Sequence, residues 1–236
     1  MGISCYLAMT AAEMETAVAA PNWHTAYMAC HFSSYSTGLS NIPTALPPNS
    51  MLIVNDRTPI SNHDPDLIAA QLQQTVETLG CNSVLLDFQR PGNAETEALC
   101  RVLVGAIPCP VGISDLYAKG LDCPVFLPPA PLDQPLEAFL APWKPREIWL
   151  EAATDATCIT VTEKGSTHSP VDRPQPPKRH FLDQTLHCWY WTGPTKTQAR
   201  FYLWRDSTQL KALLDEAEAL GVPKAVGLYQ QLGSHT

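Results

Sequence analysis

The fold turns on the stretch Ser83-Val84-Leu85-Leu86-Asp87-Phe88-Gln89. Side chains alternate along a β-strand. Val84, Leu86 and Phe88 therefore share one face, and Leu85, Asp87 and Gln89 share the other. Two largely apolar faces are what a parallel strand covered by helices requires. Asp87 and Gln89 break the pattern on one face only, and only toward the C-terminal end. In an α/β barrel that end of each strand opens on the mouth where ligands bind. The run thus predicts a carboxylate on the inner face of a barrel mouth.

The same alternation of short apolar runs with amphipathic ones continues in both directions, which is the signature of parallel β/α units. Upstream, Ile3 to Met9, Thr25 to Phe32 and Met51 to Asn55 read as strands. Thr10 is placed to cap a helix over residues 11–20. Asp64 and Pro65 open a helix, Leu67, Ala70, Leu72, Val76 and Leu79 give it an apolar side, and Gly80 stops it. Asn93 caps another helix. Downstream, strands are expected over Pro110 to Leu116, Pro124 to Leu127 and Glu147 to Ala152, with a helix over 132–143. Cys158 to Thr162 reads as half of an inserted hairpin, and a Pro-rich surface loop is expected over 164–186. Leu186 to Trp191 and Arg200 to Trp204 read as strands. The helix from Ser207 to Leu220 ends at Gly221, and Lys224 to Tyr229 closes the chain. The expected fold class is α/β: a single (β/α)8 TIM-type barrel over residues 1–236 with a small inserted β-hairpin.

Composition agrees and narrows the function. The 236 residues are close to the ~250 of one such barrel. A net charge of -8 argues against nucleic acid or an anionic membrane as partner, since both need a basic face. No apolar run approaches the ~20 residues needed to span a bilayer. A small-molecule or oligosaccharide ligand fits better, and the oligomeric state stays open. The eight cysteines stand singly, with no C-x-x-C pair, and nothing at the N-terminus reads as a secretory leader. They are expected as reduced core residues of a cytoplasmic protein. No metal-ligand spacing, P-loop, dinucleotide fingerprint or G-x-S-x-G elbow occurs, so no metal and no cofactor is expected.

Two segments resemble glycoside hydrolase family 18, the chitinase-like barrels that include spore-cortex and peptidoglycan hydrolases. The family pattern on the fourth strand is D-x-x-D-x-D-x-E, against which this chain reads Asn82-Ser83-Val84-Leu85-Leu86-Asp87-Phe88-Gln89. Asp87 keeps the third acidic position, and Gln89 stands where the family has its proton donor. The second segment runs from Phe201 through Trp204, Asp206, Ser207 and Lys211 to Tyr229 and Gly233. It looks like the family's penultimate strand, helix and last strand, with Tyr229 at the place of a floor tryptophan. The resemblance implies substrate-assisted hydrolysis of N-acetylated glycans, in which the substrate's acetamido oxygen is the nucleophile. Asp87 would orient and stabilise that group. Gln89 cannot protonate a leaving oxygen, because an amide has no titratable proton near neutral pH.

Hydrolysis on this scaffold needs another acid, and Glu151, near the end of its strand, is the first substitute. Its direction is not fixed by the pattern. Asp56 and Asp115 also end predicted strands, where each either lines the mouth or caps the following helix. His31, Trp191 and Tyr229 are candidates for sugar contact, aromatic rings being able to stack on apolar sugar faces. Core packing is the competing role for the rings. The expectation is a glycosidase-like barrel acting on or binding chitin or peptidoglycan fragments. The alternative is a non-catalytic carbohydrate-binding or interaction barrel of the same fold.

Overall fold

The computed structural model describes residues 2–17, 23–60, 63–171, 176–193 and 197–232. The chain enters β1 (Ser4–Met9) and a short α1 (Ala11–Thr16), opened by a reciprocal capping box between Thr10 and Glu13. β2 (Trp23–Phe32), the two-residue β3 (Leu39–Ser40) and β4 (Met51–Asn55) follow. Asp64 caps α2 (Pro65–Leu79) by accepting from the Asp66 amide, and Gly80, at φ +63°, ends it in the left-handed region that favours glycine. β5 (Ser83–Asp87) leads to α3 (Ala94–Ala106), capped by Asn93. Next come β6 (Val111–Ser114), α4 (Asp115–Ala118), β7 (Val125–Leu127), α5 (Leu136–Leu140) and β8 (Ile148–Ala152).

Five strands then interrupt the β/α rhythm: β9 (Ala156–Thr162), β10 (Gly165–Pro170), β11 (Phe181–Asp183), β12 (Cys188–Thr192) and β13 (Ala199–Trp204). The rhythm resumes with α6 (Ser207–Ala219), β14 (Lys224–Leu228) and α7 (Tyr229–Leu232). Strands β1, β2, β4, β5, β6, β7, β8 and β14 pair in that order, all parallel, and β14 returns to β1 to close an eight-stranded ring. The expected barrel is the observed one. β3 lies outside the ring, antiparallel to the end of β2.

Alternation along β5 sorts its side chains as expected. Val84, Leu86 and Phe88 pack outward among Ile68, Leu72, Leu99 and Leu103 of the helices. Leu85 points inward with Tyr6, Met51, Ile53, Phe126 and Trp149, which fill the barrel's centre. Each such side chain is worth about 1.5–3 kcal/mol of burial. Trp149, fully buried, lies across Gly112: a Cβ there would come within 2.3 Å of the indole Cε3. Below it Lys224 sets its Nζ 4.4 Å from the Trp149 ring centre, and Glu147 accepts the indole N–H at 2.7 Å. These contacts plug the end of the barrel where the strands begin, leaving the other end open.

The second half of the chain departs from expectation in three places. The inserted hairpin exists, as β9 with β10, but it belongs to a five-stranded antiparallel sheet ordered β10-β9-β13-β12-β11. Residues 164–186 are therefore only partly loop, with Gly165–Pro170 and Phe181–Asp183 in strands; Pro174 lies outside the described residues. Arg200 to Trp204, matched above to the penultimate barrel strand, is in this sheet, because β8 pairs directly with β14 and leaves it no place in the ring. Buried Arg205 ties the sheet to the barrel, donating to the carbonyls of Ala130, Leu186 and His187.

Candidate active site

At the open end lies a cavity of about 410 Å³, lined by Asp87, Gln89, Glu151, Asp56 and His31 together with apolar Leu85, Phe126 and Val226. Five of the eight candidate residues thus meet in one place. The parallel register explains how. Asn55 is the partner of Asp87 across β4 and β5, so Asp56 follows one residue further toward the mouth. Glu151 shares a face of β8 with Trp149, and since Trp149 fills the barrel, Glu151 points into its mouth. β6 and β7 separate its strand from that of Asp87.

The two inner carboxyls stand in different company. Asp87 accepts from the Gln89 side-chain amide. Burial pushes its pKa up, the amide bond draws it back, and the Asp56 charge adds a further upward push. Glu151 has no hydrogen-bond partner among the described residues. Burial first, then the charges of Asp87 and Asp155, raise its pKa from 4.5 to about 7. Two acids of unequal proton affinity across one cleft permit one to hold a proton while the other stays ionised.

Asp56 lines the cavity but is 5% exposed and already engaged. Its carboxylate accepts from the backbone amides of Gln89 at 3.1 Å and Arg90 at 2.8 Å. Arg90 answers through its guanidinium, donating to the carbonyls of Asp56 and Arg57, each at 2.7 Å. Asp56 is thus a brace between two strand ends. His31 donates from Nδ1 to the Ala29 carbonyl at 3.0 Å, which holds its ring at the cavity wall.

Three candidates lie elsewhere. Asp115 begins α4, because β6 stops at Ser114, whose hydroxyl donates to the Phe88 carbonyl at 2.6 Å. Trp191 stacks on Tyr202 in the inserted sheet, ring centres 4.5 Å apart and planes 9° from parallel. Tyr229 starts α7 and packs against the core between barrel and helices, so Leu228 lines the cavity there. Arg57 and Asn55 also line it and carried no signal beyond their place at a predicted strand end. Among the described residues no three His, Cys, Asp or Glu side chains are grouped to hold a metal ion.

An eight-stranded α/β barrel with ionisable groups at its C-terminal mouth defines a class of ligand-handling folds. Comparison with solved structures narrows that class. A chitinase of glycoside hydrolase family 18 from Cycas revoluta, in complex with (GlcNAc)4, superposes with a TM-score of 0.57 at 12% identity, covering 95% of this chain and 94% of that one. A chitinase from Chromobacterium violaceum gives 0.57 at 10% identity, over 97% and 94% of the two chains. The spore cortex-lytic enzyme SleL of Bacillus megaterium gives 0.55 at 10% identity, over 98% and 71%. No protein-family model and no curated protein sequence matches the chain. The chain shares the eight-stranded TIM-barrel fold of these chitinases.

Proposed function

We propose that the protein is a glycosidase-like barrel acting on N-acetylated glycans, with Glu151 as proton donor in place of the amide Gln89. One observation carries this reading: Asp87 and Glu151 line the same cavity, where burial and the neighbouring carboxylate charges push the Glu151 pKa up to about 7. A general acid works best with a pKa near the operating pH. The carbohydrate class is supported by the shared fold and by the (GlcNAc)4 complex of the Cycas chitinase.

In the chemistry of the resembled family, Glu151 would give its proton to the glycosidic oxygen as the C1–O bond breaks. The substrate's acetamido oxygen would close on C1, forming a cationic ring beside the Asp87 carboxylate. Water would then add to C1, return a proton to Glu151 and release the acetamide. No protein carboxylate is bonded to the sugar. Gln89 has a positioning part, because its amide holds one oxygen of Asp87.

The test is turnover of (GlcNAc)4 and of peptidoglycan fragments by wild type, Glu151→Gln and Asp87→Asn, beside binding of the same ligands by calorimetry. Each substitution should cost about 10²–10⁴ in kcat, and activity of the wild type should decline as pH rises through about 7. Undiminished turnover in Glu151→Gln removes Glu151 as donor. Binding without any turnover by the wild type favours the second reading, a sugar-holding barrel, for which Gln89 at the donor position is the specific support.

A further inference from the structure

The charged lining of the cavity is lopsided. Apart from His31, its ionisable members are three acids, Asp56, Asp87 and Glu151, and a single guanidinium, Arg57. A whole-chain charge of -8 adds to this negative surrounding. An isolated cation among acids ordinarily closes onto the nearest carboxylate. Arg57 does not: among the described residues its side chain makes no hydrogen bond and no ion pair, and the residue is exposed.

Its main chain is held firmly. The Arg57 amide donates to Asn55 Oδ1 at 3.1 Å, and its carbonyl accepts from Arg90 at 2.7 Å. Asn55 in turn donates to the Met28 carbonyl at 2.8 Å. The strand end that delivers Arg57 is therefore anchored at both of its backbone groups while the guanidinium stays free. No ion pair joins it to Asp56, Asp87 or Glu151 among the described residues. A fixed stem with a free fork, in the same cavity as the acids but unpaired with them, is suited to an anion that arrives with the ligand. A guanidinium fork matches a carboxylate in two parallel bonds.

We infer that Arg57 forms an anion-receiving subsite at the rim, and that the ligand is an N-acetylated glycan in which the sugar adjoining the one at Asp87 carries a carboxylate. This rests on the glycan reading above and deepens it. An uncharged chitooligosaccharide leaves the subsite empty. A glycan with carboxylates and no cation to meet them would be repelled by Asp87 and by any ionised Glu151.

The experiment is calorimetric titration of the full chain with three tetrasaccharides: (GlcNAc)4, a peptide-free peptidoglycan fragment whose alternate sugars bear carboxylates, and the same fragment with those carboxylates converted to amides. Wild type should bind the acid form about tenfold more tightly than the amide form. The gap should narrow as salt screens the exposed pair. In Arg57→Met, whose altered side chain is on the surface, the two affinities should converge. Equal binding of the acid and amide forms by wild type overturns the subsite while leaving the glycan reading intact. So does a preference that survives in Arg57→Met. If wild type binds none of the three, the glycan reading itself falls and takes this subsite with it.

Discussion

Asp56 and Asp87 stand at the ends of neighbouring strands, line one cavity, and are put to opposite use. Asp56 spends both carboxylate oxygens on the amides of Gln89 and Arg90. Asp87 spends one on the Gln89 side chain. The difference was not legible in the sequence. Alternation fixes a side chain's direction only while the strand lasts; it reached Asp87, the last residue of β5, but β4 ends at Asn55, one residue before Asp56. No local pattern announces that Arg90 will come back to meet it. The brace has a measurable consequence. Asp56→Ala leaves the backbone amides of Gln89 and Arg90 without their acceptor, while the Arg90 guanidinium keeps its two backbone carbonyls, so urea unfolding should show a loss of about 2–3 kcal/mol. Asp56→Asn, which keeps one acceptor oxygen, should lose less. Equal stability of wild type and both variants would mean that solvent replaces the brace at no cost.

At the scale of elements, the strands of the first half were legible because each has two apolar faces and a polar terminus. β12 and β13 alternate just as well and misled for that reason. A period of two tells which residues share a face but not whether the neighbour strand runs parallel or antiparallel. Here Trp189 lies opposite Trp204 and Trp191 opposite Tyr202, an antiparallel register in which rings cover rings. The stacked faces of Trp191 and Tyr202 are spent on each other, which takes Trp191 out of the mouth. Tyr229 and Asp115 fail through boundaries instead, each being the first residue of a short helix just past a strand. The opposite lesson comes from β6, where a glycine is dictated by a partner far away in sequence. The Trp149 indole occupies the space a side chain at 112 would need. Gly112→Ala should therefore cost about 1–3 kcal/mol through displacement of a fully buried ring. It should also disturb Glu151, two residues further along β8. Near-ultraviolet circular dichroism, sensitive to the packing of Trp149, is the direct measurement. An unchanged spectrum with unchanged stability would show that the indole has room to move aside.

For the whole molecule, the mouth that the ring encloses exacts a stability cost that depends on pH, and its sign follows from the direction of the shifts. Asp87, Glu151 and Asp155 all hold protons more tightly folded than unfolded. Below pH 4 both states of Glu151 are protonated and no cost arises. As pH climbs from 4.5 toward about 7, the unfolded chain releases the Glu151 proton and the folded one retains it, so stability falls through that window. Above about 7 the folded state is ionised too, and the full cost is in force. Fully expressed, the interval corresponds to about 3 kcal/mol; solvent at the open mouth reduces it to about 1–2 kcal/mol. Wild type should thus melt several degrees lower at pH 8 than at pH 5, a chain of this size losing about 2–4 °C per kcal/mol. Glu151→Gln removes the charge that is costly to bury and relieves Asp87 of its repulsion. It should match wild type near pH 5 and exceed it at pH 8, gaining stability where it loses turnover. Parallel melting curves for the two proteins across pH 5–8 would mean that the Glu151 carboxyl is as well solvated folded as unfolded. The mouth would then hold no acid ready to give a proton at neutral pH, and the sugar-holding barrel would be the better account of the fold.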